Sequence, residues 1–173
     1  LDELWAAFES IKNDKKKLPE FHKRISGLKF LDPACGCGNF LVITYRELRL
    51  LELEILKQQY KGQTATSIES IIWLDVDMMY GIEYEEFPAR IAEVAMWLID
   101  HQMNMLISNE FGNYFARLPL KKAAKIVHGN ALQIEWQSLL NPLNTHTIYA
   151  EHTNIINIEE PQTQYGTVNI YTK

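Results

Sequence analysis

The sequence predicts an α/β fold, an open Rossmann-like sheet with helices on both faces and a short helical segment ahead of it. Three stretches carry this expectation. Residues 28–40, LKFLDPACGCGNF, read as a short strand, a glycine loop and a helix start. Residues 80–98, YGIEYEEFPARIAEVAMWL, read as a brief strand ending in an acidic residue, followed by an amphipathic helix. Residues 126–132, IVHGNAL, read as a third strand closed by a small polar turn. Domain organisation is expected as a helical lead-in over 1–27, a ligand-binding core over 28–150 and a tail over 151–173.

In the lead-in, Leu4, Trp5, Phe8 and Ile11 lie at helical spacing, and the charged run from Asp14 to Lys17 interrupts them. Pro19 restarts the chain, and a second short helix over 20–26 would carry Phe21 and Ile25 on one face, closed by Gly27. The cluster of Lys12, Lys15, Lys16, Lys17, Lys23 and Arg24 reads most simply as a solvated helix face; contact with phosphates is the less favoured reading.

Leu28, Phe30 and Leu31 form the first strand, predicted to be buried, and Asp32-Pro33 ends it because proline cannot continue a hydrogen-bond ladder. Ala34, Cys35, Gly36, Cys37 and Gly38 carry little bulk, so the backbone can turn sharply and a ligand can lie against its N–H groups. Asn39 is expected to cap the helix that begins at Phe40. Strand, glycine loop and helix N-terminus make a nucleotide cradle at the carboxyl end of a first strand. The dinucleotide fingerprint G-x-G-x-x-G is not matched, because Leu41 stands where its third glycine would fall.

Residues 40–60 place Leu41, Tyr45, Leu48, Leu51 and Ile55 on one helical stripe, with Glu47, Arg49, Glu52, Glu54 and Lys57 between them and Gly62 as the stop. Residues 67–74 read as a short helix or strand, and 75–79 as a loop. Tyr80, Gly81 and Ile82 then form the second strand, ending at Glu83. A carboxylate at that tip can accept hydrogen bonds from both hydroxyls of a ribose, which makes Glu83 the candidate. Glu85 and Glu86 read instead as charges that favour the following helix N-terminus. Pro88 suits a first helical turn, and Ile91, Val94, Ala95 and Leu98 are expected to be buried. The separation of Gly38 from Glu83 is about twice the roughly 20 residues of a dinucleotide fold, which disfavours a nicotinamide dehydrogenase.

Met103, Leu106, Ile107, Phe111, Tyr114 and Phe115 read as core or an interdomain face, and Ile126 and Val127 as the third strand. His128 reads as a partly buried strand histidine, with no carboxylate or cysteine placed to make a metal site with it.

Composition narrows the function classes. A hydrophobic content of 47% suits a globular domain, and no apolar run approaches the roughly 20 residues of a membrane span. The start lacks a signal-peptide pattern, so a cytoplasmic location is expected. Cys35-x-Cys37 cannot make a disulfide framework. A net charge of −5 does not suggest a polyanion binder, so positive charge for DNA would have to be local or supplied by other parts of the polypeptide.

The string DPACGCGNF resembles motif I of the amino-methylating DNA methyltransferases, with Cys37 where Ser or Thr is usual. GIE before an amphipathic helix resembles their motif II, and HGNAL after a strand their motif III. Over residues 28–132 the three together resemble the methyltransferase region of MmeI-type single-chain restriction-modification enzymes, which join a nuclease, an adenine-N6 methyltransferase and a target-recognition domain. The resemblance implies a class I methyltransferase sheet, incomplete here, that binds S-adenosyl-L-methionine without a metal. The implied contacts come from Asp32, Pro33, Ala34, Cys35, Gly36, Gly38, Asn39 and Phe40 at the amino acid end. Glu83 and Tyr84 would serve the ribose, and Asn130, Ala131 and Leu132 the adenine, with Asn130 at its edge and Leu132 over a face.

Motif IV, N/D-P-P-F/Y, which would hold the target amine, does not occur in the 173 residues; Asn141-Pro142-Leu143-Asn144 has one proline and no aromatic. No catalytic residue is therefore assigned. The tail, with Ile155, Ile158, Val168, Ile170 and Tyr171 among polar residues, is expected to add one or two strands. The expected function is the cofactor half of a DNA adenine-N6 methyltransferase, inactive alone, whose partners are double-stranded DNA and the nuclease and target-recognition regions. The alternatives are an enzyme that methylates protein glutamine or ribosomal RNA, and a non-catalytic cofactor-binding or docking module.

Overall fold

The computed structural model describes residues 1–60, 70–112 and 123–140, all within the first of two compact units, Leu1–Leu140. The elements run α1 (Asp2–Ile11), α2 (Lys17–Ser26), β1 (Phe30–Asp32), α3 (Asn39–Gln59), β2 (Met79–Glu83), α4 (Glu86–Phe111), β3 (Lys125–His128) and α5 (Trp136–Leu140). The strands form one parallel sheet in the order β1-β2-β3, with Asp32 opposite Gly81 and Glu83 opposite His128. Each parallel pair is joined through one long helix, as parallel pairing requires. No helix among the described residues is long and apolar enough to cross a membrane.

The α3 stripe buries as its spacing predicts: Leu41, Tyr45, Leu48, Leu51 and Ile55 are all in the core. Met79, on β2, and Phe8, Leu18, Phe21 and Ile25, from α1 and α2, join the same cluster, so the lead-in helices complete the core under this face of the sheet. Alternation along β2 sends Tyr80 and Ile82 to the other face, where Leu139 of α5 packs on them with Leu31, Val127 and Ile134 around. Helices therefore cover both faces of a three-stranded parallel sheet, the partial Rossmann-like α/β arrangement the sequence predicts.

Several details differ from the sequence reading. Helix α2 starts at Lys17, three residues before Glu20, and tolerates Pro19 as its third residue, where an N–H has no intrahelical acceptor. Strand β1 is half-buried and begins at Phe30 rather than Leu28. Asn39 is the first helical residue of α3; the cap is Gly38, at φ 82°. That left-handed geometry favours glycine, and a Cβ there would also meet Ala92 Cβ at 3.0 Å. Helix α3 ends at Gln59, and Gly62 lies outside the described residues, as do 67–69 of the ambiguous segment. The expected loop over 75–79 holds a 3₁₀ turn, Val76–Met78, and the first residue of β2.

The largest correction concerns α4. It buries Ala89, Ala92, Met96, Ile99, Met103 and Ile107, while Ile91, Val94 and Leu98 are exposed and Ala95 is half-buried. Both stripes are apolar, so periodicity alone does not choose between them. The small one faces inward because Ala92 must pass against the glycine cap of α3. Helix α4 also runs unbroken through His101 to Phe111; Tyr114, Phe115 and the tail 141–173 lie outside the described residues.

A polar network crosses the core and anchors the approach to β2. Glu52 Oε1 accepts from Trp73 N at 2.7 Å and Leu74 N at 2.9 Å, and lies 2.8 Å from His22 Nε2. The His22 ring stacks on Trp73, centroids 4.3 Å apart. Arg49 donates to Asn104 Oδ1 at 2.7 Å, Tyr45 Oη at 2.8 Å and Asp100 Oδ1 at 3.2 Å. Its Nε lies 3.2 Å from Glu52 Oε2, in contact as charges though not aligned as a hydrogen bond. Tyr45 Oη donates to Asp100 Oδ1 at 2.6 Å. Burial raises the Tyr45 phenol well above its ordinary range, so it remains a donor.

Gly81 sits where β2 passes beneath the loop after β1. A Cβ there would meet Cys35 Sγ at 2.7 Å and Ile126 Cδ1 at 2.8 Å. Gly81→Ala should cost about 1–3 kcal/mol through overpacking, read as a lowered midpoint in urea denaturation of the purified chain.

Candidate functional site

The carboxyl ends of the three strands lie side by side, and the loops leaving them are tied together by short backbone bonds. After Pro33, Asp32 Oδ1 accepts from Ala34 N at 3.1 Å and turns the chain back across the sheet. Cys35 N then donates to Ile82 O at 3.0 Å, which lays the loop along the end of β2. Gly36 takes a left-handed φ of 55°, and a Cβ at this position would point into open space. Gly38 N donates to Cys35 O at 2.8 Å, and α3 starts immediately. Cys35 is buried, and burial, followed by the charges of Asp32 and Glu83, pushes its thiol up to about 11. It stays protonated at neutral pH and is no nucleophile. Cys37 is exposed.

Glu83 is the junction of the site. Its Oε2 accepts from Gly36 N at 2.7 Å and its Oε1 from Glu85 N at 3.0 Å, while its carbonyl accepts from Gly129 N at 2.8 Å. One residue thus joins the glycine loop, the start of α4 and the turn after β3. The Glu85 N–H, and behind it those of Gly36 and Tyr84 and the neighbouring His128, hold its carboxyl below the ordinary 4.5. Each carboxylate oxygen keeps a further lone pair beyond the N–H it accepts. The arrangement presents a fixed anion able to accept from two adjacent hydroxyls.

On the third strand the turn is shaped by Asn130, whose Oδ1 accepts from Leu132 N at 3.0 Å and whose carbonyl accepts from Gln133 N at 2.9 Å. Ala131 is half-buried and its carbonyl accepts from Trp136 Nε1 at 2.7 Å. Leu132 is 93% exposed, and Phe40 and Tyr84 are also exposed. His128 is exposed rather than partly buried, as the last residue of β3, opposite Glu83.

The three strings therefore converge: the glycine loop and Glu83 through direct bonds, and the turn at 129–132 through Gly129 on the Glu83 carbonyl. Sequence reading missed the support beneath them, the cluster of His22, Arg49, Glu52 and Asp100. A signal was present, because Tyr45, Arg49, Glu52 and Leu56 recur at helical spacing within the buried side of α3.

A ligand held by the Glu83 carboxylate would lose affinity only in acid. A carboxyl whose folded pKa is depressed stays charged until the pH falls below its ordinary value, here 4.5. Its contribution to ligand affinity should be constant from pH 8 to 5 and lost only at lower pH, measurable by equilibrium binding in a buffer series. A loss centred between pH 6 and 7 would assign the effect elsewhere.

Known proteins resemble this chain. A family model described as "MmeI, DNA-methyltransferase domain" matches residues 8–163. DNA methyltransferase A of Bacillus subtilis is 38% identical over 152 residues, covering 86% of this chain and 17% of that protein. A putative type II restriction enzyme and methyltransferase of Methanocaldococcus jannaschii is 27% identical over 100 residues, covering 57% of this chain and 8% of its own length. Among solved structures, the type IIL restriction-modification enzyme MmeI in complex with DNA superposes with a TM-score of 0.76 at 63% identity, covering 80% of this chain and 19% of that one. The chain thus spans less than a fifth of the length of each of these relatives.

Proposed function

The chain belongs to the MmeI DNA-methyltransferase domain family, and from that premise we propose that it is the cofactor-binding part of an adenine-N6 DNA methyltransferase in a restriction-modification enzyme. The cofactor is S-adenosyl-L-methionine, which supplies a methyl group on a positively charged sulfur. The observation that carries the reading is the Glu83 carboxylate, clamped by the N–H groups of Gly36 and Glu85 at the carboxyl edge of the sheet. In this orientation its two oxygens accept from the ribose hydroxyls. Tyr84 flanks the ribose.

The loop from Asp32 through Pro33, Ala34, Cys35, Gly36, Gly38, Asn39 and Phe40 receives the amino acid portion. Open space at Gly36 lets a ligand lie on its backbone, which suits a group of that size. Asn130 and Ala131 border the adenine edge, and the exposed Leu132 side chain closes over a face of the ring. The residues that would hold the target amine are not among the 173, so this stretch alone is inactive. In the longer enzyme the target adenine leaves the duplex to reach the methyl group. Its partners are double-stranded DNA and the nuclease and target-recognition regions of the polypeptide, and it works in the cytoplasm.

Tritiated S-adenosylmethionine, the full-length protein and mixed-sequence duplex DNA test the assignment. Label is expected in DNA, recovered after hydrolysis as N6-methyladenine. Label in cytosine or in protein would overturn it.

A further inference from the structure

The turn after β3 is held by a side chain that takes no part in the ligand contacts assigned above. Within the turn, Asn130 O accepts from Gln133 N at 2.9 Å and from Ile134 N at 3.2 Å, and Asn130 Oδ1 accepts from Leu132 N at 3.0 Å. These bonds give residues 130–134 a shape but not an orientation. Two further bonds tie the turn to its surroundings. Gly129 N donates to Glu83 O at 2.8 Å, and Trp136 Nε1 donates to Ala131 O at 2.7 Å.

The Ala131 carbonyl and the Leu132 N–H belong to one peptide group, and that group is rigid and planar. It is therefore gripped at both ends, by the Trp136 indole on its oxygen and by the Asn130 carboxamide on its N–H. Turning the peptide would turn the Asn130 side chain and the Leu132 Cα with it. Packing alone does not account for Trp136. Helix α5 is anchored by Leu139, which is buried with Tyr80 and Ile82, whereas the Trp136 ring is 42% exposed and belongs to no core cluster among the described residues. An indole N–H can only donate, so a carbonyl is its natural partner. Ile134 packs beneath the same turn, its Cδ1 2.9 Å from where a Cβ on Gly129 would lie.

We propose that Trp136 is a positioning residue of the cofactor site: by holding the 131–132 peptide it sets the Asn130 carboxamide and the Leu132 side chain that receive the adenine. The proposal rests on the reading of this sheet edge as the S-adenosyl-L-methionine site.

The test replaces Trp136 in the full-length protein with 3-benzothienylalanine, which keeps the fused rings and puts sulfur in place of the N–H. A purely structural role of the ring survives this change. Isothermal titration is expected to show S-adenosylhomocysteine and adenosine bound about three- to tenfold more weakly, the loss of one neutral hydrogen bond, and S-ribosylhomocysteine, which lacks the base, within about twofold of the unmutated protein. Unchanged affinity for S-adenosylhomocysteine would overturn the proposal, since the ring alone would then suffice. Equal weakening of all three ligands would also overturn it, since the whole site rather than the adenine turn would have loosened. In both cases the unmutated protein binds S-adenosylhomocysteine and the proposed function stands. An unmutated protein that binds none of the three would overturn the proposed function and this inference together.

Discussion

Arg49→Ala is expected to destabilise the domain by about 3–5 kcal/mol, the usual cost of removing one partner from a buried ion pair. Arg49 is fully buried and is the cation between two carboxylates, Glu52 Oε2 at 3.2 Å and Asp100 Oδ1 at 3.2 Å. Its removal leaves both acids in the core and frees the oxygens of Asn104 and Tyr45 from their donor. A loss of that size is a large share of the 5–15 kcal/mol that stabilises a typical domain. It should appear in guanidinium denaturation as a collapsed midpoint, or as failure to fold. Arg49→Lys keeps the charge but loses the planar fork that reaches Asn104, Tyr45 and Glu52 together, so it should recover only part of the loss. A cost below 1 kcal/mol for Arg49→Ala would mean that the network is not formed in solution.

The second large effect is on the ligand. On the proposed assignment Glu83→Ala removes an ionised acceptor of two hydroxyls, and hydrogen bonds to charged groups contribute about 1.5–3 kcal/mol each. The cofactor should bind at least ~100-fold more weakly on that basis. The substitution also releases Gly36 N and Glu85 N, so the loop loses its tie to β2. Glu83→Gln keeps one acceptor oxygen and turns the other position into a donor, so it should recover only a fraction of the affinity. Thermal unfolding of the ligand-free variants separates loop loosening from the direct loss. Affinity within threefold of the unmutated protein would remove Glu83 from the site.

Much of the fold was legible because local pattern and tertiary outcome agree. The α3 stripe of Leu41, Tyr45, Leu48, Leu51 and Ile55 is buried as its spacing predicts, and Leu53 and Leu56 on the same helix pack in a second cluster. The strand tips were marked by Asp32-Pro33, Glu83 and His128-Gly129, where chain direction and polarity change together. Helix α4 was not legible in the same way. Two apolar stripes share it, and the choice between them depends on the clearance between Gly38 and Ala92, a contact between residues 54 positions apart. The helix cap was misassigned for a related reason: Asn39 has the side chain of a cap, but the left-handed turn at Gly38 takes the position one residue earlier.

The network of His22, Arg49, Glu52 and Asp100 stayed hidden because charged residues on a helix usually face water. Their burial depends on partners from α2, α4 and the approach to β2, which no local window contains. For the candidate site, its components were readable from the chemistry of a small-residue loop and a carboxylate at a strand tip. Their union through Gly36 N, Glu85 N and Gly129 N was not, since those bonds are made by backbone groups that every residue possesses.

Isothermal titration of the 173-residue chain with S-adenosylhomocysteine, after circular dichroism has established that the sample is helical and unfolds cooperatively, tests the central claim most directly. One-site binding in the micromolar range, abolished by Asp32→Ala and by Glu83→Ala, is the predicted result. A folded chain that takes up no ligand, or one whose binding is indifferent to both substitutions, would contradict the assignment of this sheet edge as the cofactor site.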